Sequence, residues 1–578
     1  MLHTKSMRAA LLAGSTMIAI STSALAQTDD PPKKHHHHAA AATENDRLDL
    51  LEKQVKEQAK ALGAQAQAMG AQAREIQDLK AQLNQGSSQV SASQFQALQN
   101  QVDATEATVK AAAIVPHDKK LHMKGVTFTF GGFLAAESVW RSGGLGSDLG
   151  SPGFSKIPFF GPGGGGTGNA VSVGHTGEFR LSARQTRISG LVEGDFDPNT
   201  HFAAYGEFDF LGAAASANSN ESNSYTPRIR NVYGTVDWSD IGVKFLFGQN
   251  WSLATLDGKG ISERSELPPP TIDPQYLPGF IWTRQPQLRI VKNFNDEVWL
   301  GLSVENPQTT TGGTAPTGFT SLTISTGNGF NGTTTNVALA EFNPGITLSL
   351  NHVPDVIGKV AWEPAYFDGN VHLEAFGIYR DFYDRVGTTL SNVQNFNKSG
   401  GGAGVAGLIK VIPGLFDVQF DGLYGTGIGR YGSGQLPDVT FNADGTFQPL
   451  NENIEMVGLT LHATHDLDIY VFGGREDETK AFSNGIINGV TQHIGYGNPL
   501  FVNTGCFSWN SVATCTGNVQ NVQQVTLGLW DTAYRGDFGQ FRIGLQYSYT
   551  HLKAFDGVGG SPDTHDNMVF SSFRYFPF

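Results

Sequence analysis

From Lys124 onward, apolar and polar side chains alternate with a period of two. In QFRIGLQYSYT, Phe541, Ile543, Leu545, Tyr547 and Tyr549 share one face, and Gln540, Arg542, Gly544, Gln546, Ser548 and Thr550 share the other. In HFAAYGEFDF, Phe202, Ala204, Gly206, Phe208 and Phe210 oppose His201, Tyr205, Glu207 and Asp209. LFDVQFDGLYG sets Phe416, Val418, Phe420 and Tyr424 against Asp417, Gln419 and Asp421, and EVWLGLSVE sets Val298, Leu300, Leu302 and Val304 against Trp299, Ser303 and Glu305. Successive side chains of a strand point to opposite faces, so each segment predicts a strand with one face for hydrocarbon and one for water. The polar faces carry charges and large polar groups, and aromatics gather near the strand ends. Both features place the apolar face outside, against lipid, rather than in the core of a soluble sandwich.

A bilayer admits only helices or closed barrels. Beyond the N-terminus no apolar run approaches the ~18 residues of a spanning helix. Long polar segments at 146–169, 216–226 and 308–332, and the stretch NTGCFSWNSVATCTGN, read as outer loops. With strands of ~10 to 14 residues, short turns on one side and outer loops of ~20 to 25 on the other, residues 124–578 accommodate about 16 strands. A barrel of that size encloses an aqueous channel.

The first 113 residues follow other rules. Residues 1–26 pair Lys5 and Arg8 with an apolar stretch and the sequence Ala24-Leu25-Ala26, the pattern of a cleaved export signal. Residues 27–43 form a flexible leader with histidines at 35–38. Over 44–113 the period becomes seven: Leu48, Val55, Leu62, Met69, Ile76 and Leu83. The companion seam is weak, with Leu51, Gln58, Gln65, Gln72 and Leu79 at one spacing and Ala59, Ala66 and Ala73 at the other. After NQGSSQ a seam restarts in a new phase at Phe95, Leu98, Val102, Thr105 and Val109. So narrow a seam does not hold a lone helix in water, which predicts an oligomerisation helix, a coiled coil of open order. The expected fold class is all-β: a transmembrane antiparallel β-barrel of about 16 strands, preceded by a periplasmic α-helical coiled coil.

Charge sharpens the picture. Charged residues make up 16% of the chain and the formal net charge is -14, which excludes a general nucleic-acid binder with its basic footprint. Against that background, arginines occur early in the barrel as close pairs: Arg184 with Arg187, Arg228 with Arg230, and Arg284 with Arg289, with Arg380 further on. A guanidinium is always charged and binds carboxylate or phosphate bidentately. Facing lipid at mid-depth it costs about 2 to 4 kcal/mol, so strand arginines belong inside or at the interface. Arg184 shares the phase of Arg180 and Ser182, opposite Phe179, Leu181 and Ala183, and is expected in the lumen. Asp417 and Asp421, with Gln419, are expected on an opposing wall, giving a transverse field. The alternative is that the arginines brace the barrel against Glu193, Glu207 and Asp209, or make subunit contacts.

Export makes Cys506 and Cys515 a candidate loop-stapling disulfide. No catalytic residue, metal site or cofactor is expected. GIGRYG at 427–432 fits a G-x-G-x-x-G pattern but has no helix pattern after it. HATH places His462 and His465 on opposite faces of a strand, which argues against a shared metal.

Eight stretches run in order along the barrel: SARQTRISG from Ser182, PRIRNVYG from Pro227, LFGQNWS from Leu246, TRQPQLRI from Thr283, SVENP from Ser303, VPDVIGKVAW from Val353, GIGRY from Gly427 and SSFRYFPF from Ser571. Together they resemble the DcaP-like outer-membrane porins. The resemblance implies a trimer of ~16-stranded barrels with a periplasmic N-terminal helix, seated in outer-membrane lipid and lipopolysaccharide. It also implies passive passage of small, mainly anionic solutes. The terminal Phe578 resembles the signal read by the barrel-assembly machinery. The last strand departs from regular aromatic alternation, with Arg574 in phase with Phe576 and Phe578, and Pro577 between them. The expected function is an outer-membrane porin for small hydrophilic, anionic or polar solutes. A phosphate-selective porin, an outer-membrane barrel enzyme and a cell-wall tether are the alternatives.

Overall fold

The computed structural model describes residues 120–143, 177–212, 226–317, 320–321, 349–387, 392–487, 489–507 and 515–577, with Leu149, Phe154 and Ile157. The expected signal at 1–26, leader at 27–43, coiled coil at 44–113 and the terminal Phe578 lie outside these residues.

One antiparallel sheet closes on itself. Its staves in chain order are β1 (Val126–Arg141), β2 (Glu178–Ser182 continued by Arg187–Asp197), β3 (Thr200–Asp209), β4 (Arg228–Trp238), β5 (Val243–Trp251) and β6 (Arg284–Phe294). Then come β7 (Val298–Glu305), β8 (Asp355–Trp362), β9 (Val371–Gly387), β10 (Gln394–Ile412) and β11 (Phe416–Thr426). The circuit ends with β12 (Asn451–His462), β13 (Leu467–Glu478), β14 (Val519–Gly536), β15 (Gly539–Ala554) and β16 (Asp563–Phe576). Each stave pairs with the next, and β16 returns to β1, Tyr575 opposite Leu134 and Met568 opposite Arg141. The sheet holds nineteen strand segments. Lys120–Met123 and Thr320–Ser321 are short additions and β2 is in two pieces, which leaves sixteen staves. No edge is left unpaired by this closure, the condition for a sheet in hydrocarbon.

Alternation follows the sequence and runs inside out relative to a soluble protein. On β15, Leu545, Tyr547 and Tyr549 are exposed on the outside while Gln546, Ser548 and Thr550 are buried within. On β7, Leu300, Leu302 and Val304 face out and Ser303 and Glu305 face in. Trp238, Phe294, Trp362 and Tyr534 ring the outer wall near one rim, and Trp140, Phe179, Tyr379, Tyr424 and Tyr549 lie toward the other, the two aromatic girdles of a membrane barrel. The staves are joined by short turns at the first rim and by long connections at the second. The turn from β6 to β7 shows the local logic: Asn295 and Asp296 both take positive φ, 57° each, the backbone of a tight hairpin that Asn and Asp tolerate.

The interior is not left open as the barrel size suggests. The connection 252–283, between β5 and β6, enters the lumen and packs against the inner wall. Leu253 N donates to Glu305 on β7 (2.8 Å), Lys359 Nζ on β8 donates to Thr255 O (2.6 Å), and Gln419 Nε2 on β11 donates to Leu267 O (2.9 Å). Trp530 Nε1 on β14 donates to Pro270 O (2.7 Å), and Gly279 N donates to Glu476 on β13 (2.7 Å). Apolar side chains of the loop supply the core. Leu253, Leu256 and Ile261 pack with Trp299, Ile357 and Phe376, and Ile272, Tyr276, Leu277 and Phe280 pack with Tyr470, Phe472, Trp530 and Met568. The loop carries no period-two pattern because it is not a strand. Its apolar residues are buried on the inner wall.

Candidate functional site

Five arginines gather on the inner wall formed by β16 and β1–β6, where the inserted loop also reaches them: Arg574 Nη2 donates to Ile272 O (2.7 Å). Arg187 on β2, Arg228 and Arg230 on β4, Arg284 at the start of β6 and Arg574 on β16 project inward there, among Glu137 of β1 and Glu207 and Asp209 of β3. Alternation alone does not produce this density. A register shift opposite Glu207 and Phe208 turns two consecutive residues, Arg230 and Asn231, to the inside, while Ile229 and Val232 stay outside.

The carboxylates are mostly spoken for. Asp209 accepts from Arg228 Nε (3.0 Å) and Nη2 (2.7 Å) and from Arg230 Nη1 (2.9 Å). Glu207 pairs with Arg230 Nε and lies 4.0 Å from Arg187 Nη1. Glu137 accepts from Arg574 Nε (3.0 Å) and Nη2 (2.7 Å). Arg284 has no ion pair among the described residues. Its guanidinium sits 5.1 Å from the Trp251 ring centre and 5.4 Å from that of Trp282. Arg187 and Arg574 both rest on Phe133, at 5.2 and 4.9 Å. Aromatic faces hold cations without neutralising them. Arg187, Arg228, Arg230, Arg284 and Arg574 against Glu137, Glu207 and Asp209 leave the wall with a surplus of positive charge.

The other candidates go elsewhere. Arg184 departs from its expected phase because β2 breaks at 183–186, where Thr186 N donates to Ala183 O (3.1 Å). Its Nε and Nη2 donate to Phe210 O and Gly212 O, each at 3.0 Å. Arg289 points inward but lies buried beneath the inserted loop, donating to Gln287 Oε1 (3.0 Å) and Trp251 O (2.5 Å). Arg380 is also buried, paired with Asp355 (3.2 Å) and Asp438 (2.5 Å), so it ties the connection 427–450 to β8 and β9. Asp421 faces inward under the inserted loop, and Asp417 lies near the short-turn rim, 3.3 Å from His462. Neither faces the arginine wall directly, because the inserted loop packs against β11, where Gln419 Nε2 donates to Leu267 O (2.9 Å). Within the loop, Asp257 and Glu266 are held above the usual carboxylate range, first by burial and then by like charge: Glu374 next to Asp257, and Asp257 next to Glu266. Cys506 and Cys515 form a disulfide in the connection between β13 and β14.

Sequence reasoning passed over Arg574 as a site residue. Arg574 registered only as an irregularity of the last strand. The structure explains the pattern: Phe573 faces out, while Arg574 and Phe576 face in, with the Phe576 ring 5.2 Å from Phe133. The inward aromatics form the bed on which the arginines rest.

No protein-family model matches the chain, and no curated protein matches it. Among solved structures it is similar to the outer membrane channel DcaP of Acinetobacter baumannii, with a TM-score of 0.53 and 17% identity over 79% of this chain and 99% of that one. It is also matched by an anion-selective porin from Comamonas acidovorans (TM-score 0.39, 10% identity, 78% and 99% covered). OprB of Pseudomonas putida matches as well (TM-score 0.41, 9% identity, 77% and 94% covered). The likeness to DcaP is one of fold: this chain is a closed sixteen-stranded barrel of the DcaP type.

Proposed function

We propose that this protein is an outer-membrane porin that passes small hydrophilic, anionic solutes by diffusion along the arginine wall. The observation that carries the reading is Arg284: a guanidinium held between the Trp251 and Trp282 rings with no ion pair among the described residues, beside Arg187, Arg228 and Arg230. A fixed charge in a narrow low-dielectric passage concentrates its counter-ions far more than it would in bulk water. Arg187, Arg228, Arg230, Arg284 and Arg574 are the pore-lining set in this reading. Arg184 stands at its edge, Arg289 ties β6 to the end of β5 beneath the inserted loop, and Arg380 holds the outer loop 427–450. No bond is made or broken in this mechanism, and no cofactor takes part.

The export signal at 1–26 and the heptad helix at 44–113 belong to the same reading: delivery beyond the cytoplasm, and assembly of identical barrels, a trimer, from the periplasmic side. The test is conductance in a planar bilayer under a potassium chloride gradient. Stepwise channels with a chloride-directed reversal potential are expected. A potassium-directed potential overturns the arginine assignment, and the absence of channels overturns the porin reading itself.

A further inference from the structure

Among the described staves, three inward histidines stand at the short-turn rim, well separated around the barrel: His201 at the start of β3, His372 at the start of β9 and His462 at the end of β12. Each is pressed against carboxylates of neighbouring staves or turns. His201 Nδ1 is 2.5 Å from Asp195 Oδ1. His462 lies between Asp468 (Nδ1, 2.7 Å) and Asp417 (Nε2, 3.3 Å). His372 lies between Glu363 (Nδ1, 2.8 Å) and Glu374 (Nε2, 2.9 Å). A neutral imidazole has one donor and one acceptor nitrogen, so only the imidazolium satisfies carboxylates at both.

The surroundings fix the sign. Around His201 stand Asp195, Asp197 and Asp237, with Lys244 paired to Asp237 at 3.3 Å. Around His462 stand Asp417 and Asp468, with Lys410 opposite Asp417 and Arg542 3.4 Å from Asp468. Around His372 stand Glu363 and Glu374, with Lys359 joining Glu374 (2.7 Å) to Asp257 of the inserted loop (3.1 Å), and Lys259 near Glu363. His465, in the turn after β12, meets Arg535 (3.1 Å) as well as Asp466 (3.1 Å), so it stands apart from the three. With neutral imidazoles this rim is a belt of surplus negative charge. It lies in series with the positive wall and opposes the entry of anions.

We propose that His201 and His462 are the titrating members of this histidine ring and set the ion preference of this mouth, so that the channel favours anions more strongly as the pH on this side falls. The inference rests on the porin reading above. Imidazole is the side chain that changes charge between about pH 5 and 8, and each proton taken up cancels one carboxylate of the belt without touching the arginines. The histidines of HATH thereby part company: His462 belongs to the ring and His465 to the rim outside it.

The test uses the full chain in planar bilayers, with the chloride-to-potassium permeability ratio read from reversal potentials at pH 8 and pH 5.5. The ratio is expected to rise on the order of twofold on acidification. The double variant His201→Asn, His462→Asn keeps a donor toward each aspartate but cannot take a proton. It is expected to lose most of that rise while matching the parent at pH 8. His372 is left in place because it braces Glu363 and Glu374, and Asp257 and Glu266 in the loop account for the residual response. A rise undiminished in the double variant, or an anion-selective channel with a flat response, overturns this inference alone. A silent or cation-preferring protein at every pH overturns the porin reading and this inference with it.

Discussion

Arg284 and Arg380 show how one residue type serves two ends inside the same barrel. Arg284 is held by ring faces without an ion pair among the described residues, so Arg284→Gln is expected to lower the chloride-to-potassium permeability ratio several-fold with the barrel intact. Arg284→Glu is expected to lower it further. Reversal potentials check both, and an unchanged ratio removes Arg284 from the site. Arg380 is locked between Asp355 and Asp438 with a further bond to Gly427 O (2.6 Å). Removing one member of a buried pair leaves an uncompensated charge and costs about 3 to 5 kcal/mol. Arg380→Ala is therefore expected to lower the unfolding temperature in detergent, with selectivity preserved in whatever fraction remains folded.

Glu266 adds a pH dependence at the same scale. Its carboxyl is pushed up to about 7 by burial and by Asp257, against about 4.3 in an unfolded chain. Because the folded value is the higher one, this group stabilises the fold fully below its unfolded value, and the contribution is lost as pH rises toward about 7. Glu266→Gln is expected to flatten the fall in unfolding temperature between about pH 4 and 7, which a thermal scan at several pH values measures.

At the scale of elements, the inserted loop decides how much of the barrel conducts. Gly279 is its tightest point: φ is 87°, and a Cβ there would lie 1.9 Å from Glu455 O. Gly279→Val is expected to unseat this part of the loop from β12 and β13 and raise single-channel conductance. An unaltered conductance in a folded variant would show that another segment narrows the passage. The loop also marks where sequence reading stopped. Strands β3, β7, β11 and β15 were legible because alternation is a property of neighbouring residues. Segment 252–283 meets β8, β11, β13 and β14 through contacts more than a hundred residues apart, and no local pattern encodes such partners. The break in β2 was hidden for a related reason. Arg184 looked in phase with Arg180 until Ala183–Thr186 turned out of the ladder, after which Arg187 re-entered it opposite Phe133.

For the whole molecule, the sequence implies two separable tasks, a barrel that closes through β16 and β1 and a heptad segment that assembles. Deleting residues 44–113 while keeping the export signal is expected to leave channel conductance and to lower the oligomeric order, read by cross-linking or native mass in detergent. Loss of conductance with the oligomer intact would contradict that division. The sequence by itself determined the class of fold, the approximate number of staves and the outward direction of the apolar faces, and it confined the barrel arginines to the inside or the interface. All of these follow from a period of two, the length available and the cost of charge in hydrocarbon. Only the tertiary structure decided which arginines keep a free charge. Arg230 meets Glu207, Arg574 meets Glu137, Arg380 meets Asp438 and Arg284 meets no carboxylate among the described residues. Those partners come from adjacent staves and from loops folded across the lumen, and their positions are set by register and closure rather than by any property of the arginine's own strand.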